Sequence, residues 1–69
     1  MKFNHSKLLG RIKERGYTQQ TLAEAINLTK SSLNSKLKNM FYFTSRDIYA
    51  ICEVLDIPTS EIGVYFFMV

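Results

Sequence analysis

A chain of 69 residues makes one domain at most, spanning 1–69, with a small core and a thin stability margin. Apolar residues make up 46% of it and proline occurs once, which excludes a disordered chain and marks a folded one. The net charge of +3 conceals a division, since residues 2–38 hold a surplus of six positive charges and residues 39–69 a deficit of three; a polyanion on the basic half fits this, and so do lysines and arginines that merely solvate helix faces.

The first helix is expected from about Ser6 to Arg15, with Leu8, Leu9 and Ile12 turned to the core and Gly16 ending it in the left-handed conformation. His5, just before it, reads as a surface residue without metal-ligand partners in register. Thr18 is a good N-cap for a second helix whose buried face carries Leu22 and Ile26, and Asn27, the residue that best replaces glycine at positive φ, ends it. Leu28 plugs the turn and Thr29 caps a third helix reaching Leu37 or Lys38. After a loop, Asn39 to Phe43, the S/T-x-x-D/E spacing of Thr44 and Asp47 opens a fourth helix with the seam Ile48, Ile51, Cys52, Leu55. Pro58 breaks the chain, and Thr59 or Ser60 caps a short fifth helix to about Tyr65, followed by a few residues that fit either a helix end or a short strand. The fold class is therefore all-α, five helices in one domain with a possible short C-terminal extension.

On the third helix Ser31, Asn34, Ser35 and Lys38 fall at i, i+3, i+4 and i+7, one face, with Lys30 on its shoulder; Leu33, Leu37 and Met40 form a separate stripe expected to face inward. Hydroxyls, an amide and ammonium groups match base-edge donors and acceptors and phosphate oxygens. An ordinary amphipathic helix with a solvated face carries such residues too, and the two serines alone favour that reading. The capped helix pair, the basic half and the lack of acidic residues from Thr29 to Met40 tip the balance to DNA.

The segment Thr18-Gln19-Gln20-Thr21-Leu22-Ala23, with Ala23 where two helices cross and Leu33 on the inner side of the third helix, resembles the helix-turn-helix of the lambda-type phage repressor and Cro family, also called the XRE family. The order of five helices resembles it as well, so the likeness spans nearly the whole chain and implies a lambda-repressor-like DNA-binding domain. It implies that Thr29, Lys30, Ser31, Asn34 and Ser35 face base edges or neighbouring phosphates. It also implies that Gln19 binds a phosphate and braces the third helix, and that Asn39 touches phosphate, with Lys38 assisting; Tyr42 is a further phosphate-side candidate.

Three departures stand out. Asn27 replaces the usual turn glycine; Thr21 replaces a glutamate, so the second helix is expected to lack the reciprocal capping bond; and Met40-Phe41-Tyr42 stands where charged or polar residues are common. Phe43, beside the Thr44 cap, fits a core position or a hydrophobic staple. Met40, Phe41 and Tyr42 cannot all be buried in so small a core, which leaves them as loop aromatics, as cover for the DNA backbone or as a partner contact. The apolar end, Tyr65, Phe66, Phe67, Met68 and Val69 beside Val64, is a candidate dimer surface, or Phe66 and a neighbour close the core.

The expected function is a sequence-specific transcriptional regulator, a Cro-like repressor that places its third helix in the major groove of an operator. Its partners are double-stranded DNA and a second copy of the chain, a homodimer at least on DNA. The rival reading is an antirepressor or antitoxin-like module of the same fold that binds another phage regulator through Met40, Phe41 and the tail. No enzyme is expected: neither a phosphate-cradling glycine loop, a metal cluster nor a nucleophile–base pair is evident, and no cofactor or metal is implied. The lone Cys52 excludes an intramolecular disulfide and reads as a small buried residue. With no secretory signal and no run long enough to span a bilayer, the expected setting is the cytoplasm of a bacterial host, near its DNA.

Overall fold

Of five helices, three begin at a threonine whose hydroxyl satisfies one of their first amides, and four end where a residue turns left-handed. In the computed structural model, which describes residues 2–69, the helices are α1 (Ser6–Glu14), α2 (Gln19–Ala25), α3 (Lys30–Leu37), α4 (Ser45–Leu55) and α5 (Ile62–Phe66), with a 3-10 turn at Thr59–Glu61 before α5. Among the described residues there is no strand, and the apolar tail after Phe66 continues without regular structure. No helix is long and apolar enough to cross a membrane.

The threonine caps form as the sequence implies. Thr29 Oγ1 accepts from Ser32 N–H at 3.0 Å, and Thr44 and Asp47 close a full capping box. Thr18 does the same with Thr21. Its hydroxyl accepts from Thr21 N–H at 3.1 Å, and Thr21 Oγ1 accepts from Thr18 N–H at 2.8 Å. The expected loss of the reciprocal bond is thus corrected: a threonine hydroxyl reaches the N-cap amide as a glutamate would.

Four helices end on a positive-φ residue, Gly16, Asn27, Asn39 and Asp56, and only one of these is glycine. At α1, α2 and α3 the same pair of bonds closes the end. Tyr17 N–H reaches Ile12 O, Leu28 N–H reaches Ala23 O and Met40 N–H reaches Ser35 O, at 2.8–2.9 Å, while Gly16, Asn27 and Asn39 donate to the carbonyls three residues back. A left-handed residue with a Cβ is strained, and Asn lowers that cost by local hydrogen bonding. Asn27→Gly is therefore expected to leave stability unchanged within a few tenths of a kcal/mol, and Asn27→Ala to lower it by about 1 kcal/mol. Urea unfolding of the two variants checks this; equal stabilities would mean that the turn does not depend on its backbone conformation.

The core joins all five helices. Leu8 and Ile12 of α1, Leu22 and Ala23 of α2, Leu33 and Leu37 of α3, the α4 seam with Cys52, and Phe66 of α5 are buried, with Ile26 and Ile57. Burial raises the Cys52 thiol above its ordinary range, which keeps it protonated and unreactive. Three expectations change. Leu9 is 43% exposed, because Leu8 and Ile12, four apart, set the inward line and the next residue lies about 100° off it. Met40 is 67% exposed, because the left-handed Asn39 stops α3 before the Leu33–Leu37 stripe reaches it. His5 is buried rather than at the surface. Its Nδ1–H donates to the Leu37 carbonyl at 3.0 Å, and its ring meets Phe43 edge-on with centroids 5.4 Å apart.

Candidate nucleic-acid interface

The α2–α3 pair is the most closely packed pair of elements in the molecule. Ala23 has no exposed surface, and a side chain this small lets the two backbones approach. The four residues 26–29 between the helices reverse the chain through Asn27, whose φ of 63° no β-branched residue would accept at low cost. Leu22 and Leu33, both fully buried, fasten the pair to the rest of the core. The inner side of α3 is thereby fixed, and the polar side is what remains.

On that side Thr29, Lys30, Ser31 and Lys38 are exposed and Asn34 and Ser35 half-buried. Thr29 spends one acceptor on its cap and keeps its O–H. Among the described residues, the side chains of Lys30, Ser31, Asn34, Ser35 and Lys38 make no hydrogen bond to the rest of the chain, which leaves their donors and acceptors uncommitted. Gln19, the first residue of α2, is half-buried, at the end of the helix that abuts α3.

Several cations are engaged inside the chain. Arg11 donates to the Leu55 carbonyl at 3.0 Å and to the Asp56 carbonyl at 2.6 Å, and pairs with Glu14 at 2.8 Å. Arg15 lies 3.9 Å from Asp56. Lys36 is bonded to the Asp47 carboxylate, both side chains being nearly buried. Burial alone would push the Asp47 carboxyl up, but the Lys36 ammonium and the Thr44 N–H and hydroxyl outweigh it and hold it below its ordinary value of 3.8. Lys36 thus ties α3 to the start of α4, a role its place among the basic residues did not signal. The cations left without an acidic partner among the described residues are Lys2, Lys7, Lys13, Lys30, Lys38 and Arg46, and two of these flank the polar face of α3.

Asn39, the phosphate candidate just past α3, is bonded within the chain. Its Oδ1 accepts from Phe3 N–H and its Nδ2 donates to Phe3 O, both at 2.9 Å, and its own N–H goes to Lys36 O. Phe66 offers almost no exposed surface of its own, being 1% exposed in the core. Tyr65 is half-buried against the same core. The Asn39 clamp has a second consequence, for it draws the N-terminal segment to the end of α3. Asn4 N–H meets Met68 O at 2.6 Å, and Phe3 packs edge-on against Phe67 with centroids 5.4 Å apart. Met40, Phe41 and Tyr42 from the loop, and Phe67, Met68 and Val69 from the tail, are all exposed around this junction. Phe41 and Tyr42 of the loop and Phe67 of the tail, 25 residues beyond Tyr42, line one pocket there.

The model of a family described as "Protein of unknown function (DUF739)" matches residues 1–69. The chain belongs to the DUF739 family. The match covers the polar α3 face and the aromatic surface alike, so both are features of one DUF739 unit. No curated protein matches the DUF739 chain significantly.

Proposed function

We propose that this protein is a sequence-specific DNA-binding regulator, a Cro-like repressor of the lambda-type helix-turn-helix family, that inserts α3 into the major groove of a bacterial or phage operator. The observation that carries this reading is the α2–α3 pair, held at a close crossing by Ala23 and a four-residue turn, with one face of α3 left polar and uncommitted. In this reading Asn34 pairs bidentately with adenine; Ser31, Ser35 and Thr29 add weaker base or phosphate contacts, and Lys30 and Lys38 neutralise phosphates. Gln19 supplies a phosphate contact at the edge. A homodimer on a two-fold operator, with half-sites about 34 Å apart, gives a module of this size useful affinity. Repression follows from occupying a promoter in the host cytoplasm.

Asn34→Ala is expected to weaken binding to the preferred site by about 1–3 kcal/mol and to relax preference for one base pair. Lys38→Ala is expected to weaken binding to all sequences and to lower the slope of log K against log salt by about one. Titrations of preferred and scrambled duplexes at several salt concentrations measure both; unchanged preference in the first variant would remove Asn34 from the reading.

A second reading is favoured by the apolar surface formed by Met40, Phe41, Tyr42 and the tail: an antirepressor-type module that binds another regulator. A stoichiometric complex with such a regulator that survives high salt, without site-specific DNA binding, would support it over the first.

A further inference from the structure

Between the N-terminal segment, the end of α3 and the tail lies a pocket of about 320 Å³, a volume suited to a single aromatic side chain. Its walls are the rings of Phe3, His5, Phe43, Phe66 and Phe67, with Phe41 and Tyr42 beside them. One polar atom in this apolar surround has no partner. His5 is 6% exposed. Its Nδ1 faces the Leu37 carbonyl, and because a carbonyl only accepts, Nδ1 carries the proton. With the proton on Nδ1, Nε2 is left to accept, and it is buried and unbonded. Buried acceptors are nearly always paired in native structures.

A fitting occupant is an aromatic ring with a hydrogen-bond donor at its tip. The chain has no tryptophan and four tyrosines. Tyr17 and Tyr65 pack against the core, and Tyr49 lines a separate groove with Glu53 and Asp56. Tyr42 is 74% exposed and stands at the pocket itself. Plug and socket therefore share one patch, the condition for a two-fold contact in which each copy gives what it receives. We propose that the pocket of one copy receives the Tyr42 ring of a second copy, whose phenol O–H donates to the His5 Nε2. This rests on the homodimer reading above and supplies its contact. Nε2 has no open surface in the single chain, so the contact requires the aromatic walls to shift, and Phe41 and Tyr42 are the most exposed of them. Met40, Phe41, Met68 and Val69 then lie around the anchor and keep water from it.

Sedimentation equilibrium of the full chain from micromolar to millimolar protein tests this with wild type, Tyr42→Phe, His5→Asn and the double variant. Tyr42→Phe removes one exposed hydroxyl and leaves the fold intact. His5→Asn keeps a donor for the Leu37 carbonyl while deleting Nε2. Wild type is expected to dimerise, each single variant to dimerise about tenfold more weakly, and the double variant no more weakly than either. If His5→Asn does not fold, Tyr42→Phe alone carries the test. A wild-type dimer undiminished by Tyr42→Phe, or single effects that multiply in the double variant, would overturn this contact while leaving a homodimer. A wild-type chain monomeric throughout would overturn it too, and site-specific DNA binding by that monomer would show that the DNA reading does not fall with it.

Discussion

Phe66→Ala is expected to remove about 3–5 kcal/mol of stability, enough to leave a domain of this size largely unfolded. Phe66 is the largest fully buried side chain in the molecule. It ends α5, and its ring meets Phe43 edge-on with centroids 5.3 Å apart, so it joins the last helix to the loop after α3. Helices α1 and α4 both pack against α5, so a void here touches three elements at once. The neighbouring residue is the control. Phe67 is 48% exposed, and Phe67→Ala should cost no more than about 1 kcal/mol. Urea unfolding followed by far-UV circular dichroism separates the two. Equal losses would mean that the tail, not the core, holds α5.

Lys36→Met is expected to cost about 3 kcal/mol, the lower end for one partner of a buried ion pair, since Thr44 N–H still serves Asp47 at 3.0 Å. The same pair sets an acid dependence. Asp47 titrates below its ordinary value of 3.8 in the folded chain, so the folded state binds the proton more weakly than the unfolded state does. Its contribution is complete above the ordinary carboxylate range and is lost as the pH falls below 3.8 through the lower folded value. Asp47→Asn keeps an acceptor for Thr44 N–H but removes this titration. Unfolding free energies measured from neutral pH down to acid should fall less steeply for Asp47→Asn and for Lys36→Met than for wild type. Parallel curves would show that the pair does not hold α3 to α4.

The features legible in the sequence were local ones. Thr18, Thr29 and Thr44 act as caps within three residues of their own amides, and the α4 seam follows from spacing alone. Gly16 and Asn27 announced their turns, whereas Asn39 and Asp56, in the same left-handed conformation, did not, because Asn and Asp also serve as caps and surface residues. What escaped the sequence was set by distant segments. His5 turns inward because Leu37 and Phe43 meet it from the far end of α3. Asn39 is occupied by Phe3, 36 residues away. Lys36 looked like one more cation for a polyanion until the fold brought Asp47 beneath it. The polar face of α3 was legible throughout, for helical spacing alone defines it once Leu33 and Leu37 are buried.

The DNA-reading role of α3 is tested most directly by titrating the protein against the promoter region beside its own gene, with scrambled DNA of the same length, at two salt concentrations. The account predicts tight binding to one site, a footprint of two half-sites about one helical turn apart, and a preference over scrambled DNA that persists as salt rises. Weak binding, equal for both DNAs and abolished by salt, would contradict it.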